Sequence, residues 1–498
     1  MTVRRVAAVT LASALICAVP AFPQGRGGAD WATGGGDAQR SGSVRTDPKI
    51  SPETMAKPGF QLMWNVKFRN EARQGVGLTE PSLMDRYIGY RGFRSYAFIG
   101  GSGDNVFALD TDLGRIEWQK HFPLTAPAGT VTCPGGMTSS VSRPVSAAMA
   151  NPNSMFGAGG GAGPRGGPAK SGVGEPLQGA VTIAATLAPA AGRAGAGPGR
   201  GPAANQQQQR PRRMPSFLHA LSSDGAFHSL YISNGEEPEL PVKFLPANSR
   251  ASGLIIVDDV AYAVTSGNCG GAPNGIWALD IASKAVASFK GDIVGEPAFG
   301  PDGVAYVATA GGDLLALEAK TLAKKSAYSA GQPFATSATL FLSGQKPMVA
   351  AATKDGTILV LDAGLSSVAA KSAPGKATGA LSTWQDAKGT RWIAAPSGKS
   401  VAAWKLNGAA LEAGWTSKEI AAPTAAAIVN GVLFSAATGG THATLYALDA
   451  TTGNEFWNSG AAIKASVGDG GGLAIGGSTV YLGTRDGTIW AFGFPIEH

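Results

Sequence analysis

The sequence predicts an all-β fold: an eight-bladed β-propeller of four-stranded antiparallel blades, closed by an N-terminal strand that completes the last blade. Three observations carry this. A phrase recurs, reading Ala-Leu-Asp-Ala-Thr-Thr-Gly-Asn-Glu-Phe-Trp at 447–457 and Ala-Leu-Asp-Thr-Asp-Leu-Gly-Arg-Ile-Glu-Trp at 108–118. Its aspartate and the counterparts of that aspartate fall at 110, 280, 318, 362, 405, 449 and 493, a step of 38–44 residues from 280 onward. Each step holds short apolar runs separated by Asn-Gly or Gly-rich turns. A period of about 40–45 with several short strands per unit is the spacing of propeller blades.

Each element follows from local chemistry. In the unit 424–457 the runs 425–429, 432–437, 444–448 and 455–457 read as four strands. Asn430-Gly431 separates the first two, the strongest two-residue hairpin signal. A degraded copy at 227–232 supplies the unit hidden between 110 and 280, with a first strand expected around 142–147 and a second at 216–221. The last unit offers strands at 471–475, 479–483 and 488–492 but no fourth. An orphan strand at 61–68 is the natural partner, and such pairing removes two open sheet edges.

The ends and the insertions set the domain plan. Arg4-Arg5 precede an apolar stretch from Val6 to Val19, and Val19-Pro20-Ala21 offers small residues for cleavage. Residues 1–21 read as a signal peptide, too short in its apolar run to span a membrane. Lipidation at Cys17 stays open. Residues 22–60 form an N-terminal extension and 61–498 the propeller. The Gly/Ala/Pro/Gln-rich stretch 151–213 reads as a disordered insertion in blade two, since such a composition cannot bury a core. A periplasmic or secreted monomer without a transmembrane segment is expected.

The formal charge is +7, but 151–213 alone holds seven basic residues against Glu175. The folded body is thus near neutral, which argues against a nucleic-acid partner. Cys133 and Cys269 are the two cysteines beyond the signal peptide. Both fall in loops of the same propeller face, so a disulfide between them is a geometric option in an oxidising compartment. No Cys-x-x-Cys-His, nucleophile elbow or phosphate loop is present, and the five histidines show no metal-ligand spacing. The tryptophans 384, 392, 404 and 415 read as packing residues.

The phrase resembles the tryptophan-docking repeat of the pyrroloquinoline quinone (PQQ) dehydrogenases, in which Ala, Gly and Trp at positions one, seven and eleven lock neighbouring blades. Ala447, Gly453 and Trp457 match it, as do Ala108, Gly114 and Trp118. The stretch 30–40, Asp-Trp-Ala-Thr-Gly-Gly-Gly-Asp-Ala-Gln-Arg, resembles the opening of quinoprotein propellers. The resemblance is to the PQQ-repeat, quinoprotein-like β-propeller superfamily. It implies a binding or scaffold module in the cell envelope, similar to the non-enzymatic assembly propellers of that superfamily, with an envelope protein or a small molecule as partner. The alternative it implies is a PQQ-dependent dehydrogenase of alcohols or sugars, with PQQ and calcium. The family's adjacent cysteine pair is missing. The candidate binding residues are Glu80, Arg143, Arg250, Glu296 and Asp469, placed at the starts of first strands around a tunnel mouth, where acids and arginines could hold an anionic quinone or a cation. No metal ligand set is assigned.

Overall fold

The computed structural model describes residues 31–495 apart from 45, 72, 90–91, 125–128, 150–216 and 376. The expected signal peptide 1–21, with Cys17, and the expected insertion 151–213 lie outside the described residues. Within them the chain is strand-built, with one short α-helix, Pro52–Met55, and one 3-10 turn, Cys269–Gly271.

Seven hydrogen-bonded sheets follow one another along the described chain. The first spans 82–121, the second 217–243, the third 250–290 and the fourth 293–329. The fifth has eight strands and spans 339–416; its two four-stranded halves meet through their outer strands at the single parallel pair Lys371–Ala410. The sixth spans 427–458. The seventh combines three strands from 473–493 with the N-terminal strand Gln61–Lys67, which pairs antiparallel with Thr488–Gly493.

Turn chemistry sets each register. Asn430 and Gly431 both adopt positive φ, at 46° and 83°, as a two-residue hairpin between Val429 and Val432 requires. The recurring aspartate caps the next turn. Asp449 Oδ1 accepts the Thr451 and Thr452 amides at 2.7 and 3.1 Å, and Asp110 and Asp280 repeat the pattern.

The sheets pack through apolar clusters, each shared by neighbours. Phe98, Trp118, Leu218 and Leu230 join the first and second sheets; Tyr262, Phe299 and Val307 join the third and fourth. One cluster unites the sixth, seventh and first sheets through Phe434, Phe492 and Phe107. Three strand tryptophans, Trp118 of the phrase among them, lock neighbouring sheets. Trp118 donates from Nε1 to Ile232 O at 2.8 Å and lies over Gly235; Trp415 donates to Ala450 O at 2.9 Å and lies over Gly453; Trp64 donates to Thr111 O at 3.2 Å over Gly114. A Cβ at Gly453 would sit 2.4 Å from Trp415 Cε3. The glycine of the phrase is therefore the socket for the preceding sheet's indole. Trp384, Trp392 and Trp404 are likewise buried.

One first strand departs from expectation. In the second unit only Ser142 bridges His219, while Pro144–Val145 turns away to pair parallel with Ile256–Val257 of the third sheet. Proline lacks an amide hydrogen, so it suits a sheet edge of this kind.

The N-terminal extension lies against the inner edges of the sheets. The first strands touch in chain order from Arg250–Val257 through Ile293–Phe299, Thr339–Ser343, Ser382–Gln385, Ala427–Val429 and Leu473–Gly476 to Ser82–Gly89. Backbone groups on their inner side need partners. Pro144–Val145 pairs with Arg250–Val257, and residues 31–44 serve five of the other strands. The carbonyls of Trp31, Ala32, Ala38, Gln39, Ser41 and Gly42 accept in turn from the amides of Leu83, Arg143, Phe299, Leu340, Thr383 and Ile428 at 2.6–3.0 Å. Ser43–Val44 then adds a parallel strand to Ile428–Val429, and Asp47 accepts from Ser478 N at 2.8 Å.

Candidate functional site

The five sequence-selected residues divide into separate groups. Glu80 and Glu296 belong to one. Glu80 Oε1 accepts from Trp31 Nε1 and from the Gly35 amide, both at 2.7 Å. Burial, reinforced by the neighbouring charge of Glu296, pushes the Glu80 carboxyl up to about 7, against the pull of those donors and of Arg40. Glu296 Oε2 meets Arg40 Nη1 at 3.0 Å. Arg40 is 5% exposed and donates further to the carbonyls of Pro297 at 3.1 Å, Gly253 at 3.0 Å and Gly34. Close approach demands glycine here: a Cβ at Gly472 would lie 2.3 Å from Glu80 Oε2, and one at Gly253 would lie 2.8 Å from Glu296 Cγ.

Arg250 and Asp469 form the second group. Arg250 Nη2 lies 3.7 Å from Asp469 Oδ2, and its Nη1 donates to Val131 O and Thr132 O at 3.1 and 3.4 Å. That loop is held by the disulfide Cys133–Cys269, with Cα atoms 5.4 Å apart. The pairing weighed from loop positions is thus made. Arg143 stands apart from both groups. It is buried, its Nη2 donates to Leu83 O, and its amide donates to Ala32 O. It joins the N-terminal segment to the first sheet.

Sequence reasoning missed Trp31, Gly35 and Arg40. The signals were the resemblance of 30–40 to the opening of quinoprotein propellers and a tryptophan and an arginine flanking its glycine run. Their role depends on backbone contacts that no side-chain periodicity announces.

The donor set decides what the first group can hold. Calcium takes six to eight oxygen ligands. Here Glu80 Oε1 already accepts from an indole and an amide and Glu296 Oε2 meets a guanidinium, so Arg40 supplies the positive charge beside the two acids. No cluster of three or more His, Cys, Asp or Glu suited to a metal occurs among the described residues. The first group as arranged is built around Arg40 and does not fit a calcium ion.

A second constellation has the spacing of a nucleophilic triad. Ser222 Oγ lies 2.7 Å from His228 Nε2, and His228 Nδ1 lies 2.6 Å from Glu237 Oε1. Lys120 pairs with Glu237 at 2.9 Å, and His228 stacks on Phe122 at 3.9 Å. Burial opposes ionisation of Glu237, but the bonds from His228 and Lys120 outweigh it and hold its carboxyl below the usual range. A nucleophilic serine must give its proton to the histidine. Ser222 instead donates to Asp224. The same turn recurs as Thr484 to Asp486 at 2.7 Å, where Trp490 Nε1, six residues on, donates to the hydroxyl at 3.1 Å. His228 takes the place of that indole. The arrangement is a strand-to-turn brace.

No family model and no curated protein matches the chain. Solved structures do. The quinohemoprotein alcohol dehydrogenase from Comamonas testosteroni is 13% identical with a TM-score of 0.58, over 94% of this chain and 82% of that one. Quinohemoprotein alcohol dehydrogenase ADHIIG from Pseudomonas putida HK5 is 12% identical with a TM-score of 0.56, over 94% and 82%. BamB from Moraxella catarrhalis is 12% identical with a TM-score of 0.50, over 87% of this chain and 100% of that one. The chain is a β-propeller protein with the fold shared by these quinohemoprotein dehydrogenases and BamB.

Proposed function

We propose that the chain is an exported eight-bladed propeller that acts as a binding or scaffold module in the cell envelope. The eight-stranded sheet counts as two blades, and strand Gln61–Lys67 closes the ring with Thr488–Gly493. The leader-like residues 1–21 and a disulfide suited to an oxidising compartment support export. The propeller body is 61–498, interrupted by the insertion 151–213.

One observation carries the binding reading. Five of the seven touching first strands hydrogen-bond to the chain's own residues 31–44, and Glu80 and Glu296 are engaged by that segment through Trp31, Gly35 and Arg40. Recognition is then left to the turns and loops around the ring. The partner is an envelope protein or a small molecule, and the protein itself is a monomer.

The second reading, a PQQ-dependent dehydrogenase of alcohols or sugars, draws on the fold shared with two alcohol dehydrogenases. Incubation with PQQ and calcium, gel filtration and dye-linked oxidation of alcohols and sugars separate the two. The binding reading expects no retained quinone absorbance and no turnover. Retained quinone with dye reduction would overturn it.

A further inference from the structure

A surface cleft of about 470 Å3 opens between the two halves of the eight-stranded sheet, where the turn at Ser343–Gly344 faces the turns 385–391 and 405–412. Its volume lies in the range of small-molecule sites. Three cations line it, Lys388, Arg391 and Lys405, against one carboxylate, Glu412. Two of these cations are held in place. Arg391 donates from Nη2 to Leu342 O at 3.1 Å and lies 5.3 Å from the Phe341 ring centroid; Lys405 Nζ lies 5.0 Å from the Trp392 centroid. No ion pair to Lys388 or Lys405 occurs among the described residues.

Of the nearby acids, Asp386 is turned away and Glu412, opposite Lys405 in the strand register, lines the cleft. Asp386 accepts from the amides of Lys388 and Thr390 at 2.9 and 2.8 Å and from Trp392 Nε1 at 2.9 Å, so it closes its own turn. Glu412 accepts from Asn407 at 3.1 Å. The cleft therefore keeps an excess of positive charge beside neutral polar groups. Gln385 and Thr390 can meet hydroxyls, and Leu342 and Leu406 give an apolar wall. The rim glycines Gly344 and Gly408 have nothing within 4 Å of an added Cβ, so the mouth is open.

We propose that this cleft binds a small hydroxylated monoanion or dianion of the sugar-phosphate class. Lys388 and Lys405 take the phosphate as point charges, beside the fixed guanidinium of Arg391. The amides and hydroxyls of the cleft take the sugar. This site is separate from the inner edges and does not depend on whether the ring binds an envelope partner.

The probe is glucose 6-phosphate, titrated calorimetrically into the purified full chain at fixed ionic strength, with glucose, inorganic phosphate and phosphatidylglycerol vesicles as companion arms. Saturable binding of the sugar phosphate with a Kd of about 1 mM or tighter is expected, with no heat from glucose and weaker binding of phosphate. The double variant Lys388→Ala, Lys405→Ala should lose at least about tenfold in affinity, because each lost charge-assisted contact contributes of the order of a tenfold factor. Both lysines are solvent-exposed, and an unchanged melting temperature checks that the variant folds. No saturable binding, equal binding of phosphate and sugar phosphate, undiminished binding by the double variant, or a preference for the vesicles would each overturn the proposal.

Discussion

Replacing Glu80 with glutamine should flatten part of the pH dependence of stability. The Glu80 carboxyl sits at about 7 in the folded protein, against an ordinary 4.5. The folded state thus holds this proton more tightly than the unfolded chain does. The resulting stabilisation is complete below the unfolded value and is lost as pH rises through about 7. A tenfold difference in proton affinity corresponds to about 1.4 kcal/mol, so the loss is of the order of 3 kcal/mol between acid and mildly alkaline pH. Glutamine keeps an oxygen for Trp31 Nε1 and the Gly35 amide, and it removes the repulsion from Glu296. The assay is urea denaturation monitored by tryptophan fluorescence at a series of pH values from about 4 to about 8.5, spanning the window in which the proton is lost. The wild-type midpoint should fall through that window, and the variant should lose most of that slope and exceed the wild type at the alkaline end. A variant that keeps the full wild-type slope would refute the assignment of the proton to Glu80.

Three further outcomes follow from contacts described above. Arg40→Met should cost about 3–5 kcal/mol in denaturant titrations, because it leaves Glu296 and three backbone carbonyls without their buried cation. Gly453→Ala should cost about 2–3 kcal/mol and raise the exposure of Trp415 to quenchers, while Gly408→Ala, also at positive φ but with open space, should cost only about 1 kcal/mol. Replacing Cys133 and Cys269 together by serine should lower the thermal midpoint, since the bridge spans 136 residues and loop entropy alone allows about 5 kcal/mol, read against the oxidised protein by calorimetry.

Much of the fold was legible because turn chemistry and apolar runs coincide. The strands expected at 432–437 and 479–483 are Val432–Ala437 and Thr479–Gly483. The orphan strand at 61–68 is Gln61–Lys67, paired with Thr488–Gly493. The apolar run 425–429 overstates its strand, Ala427–Val429, because the stretch before it forms only the isolated bridge Pro423–Ala437. Gly235 is not legible as a socket for Trp118, since Ser229 stands where the phrase has alanine. The site was harder to read. Charged residues at first-strand starts suggested a mouth, but their partners come from 31–40, where backbone carbonyls and one arginine do the joining. A glycine run shows where a chain can turn, not which inner edge it will meet.

The pairing of Gln61–Lys67 with Thr488–Gly493 also fixes an order of events. A chain made from its N-terminus must carry 61–67 unpaired until the last sheet has been synthesised, while 31–44 can meet its partners from Leu83 to Ile428 as they emerge. Contacts this distant in sequence make assembly slow, and the exposed edges are open to mispairing meanwhile. Final docking of the first-made strand onto the last should therefore be the late step of folding, with its amides gaining protection last in pulsed hydrogen exchange. Early protection of 61–67 would contradict this order.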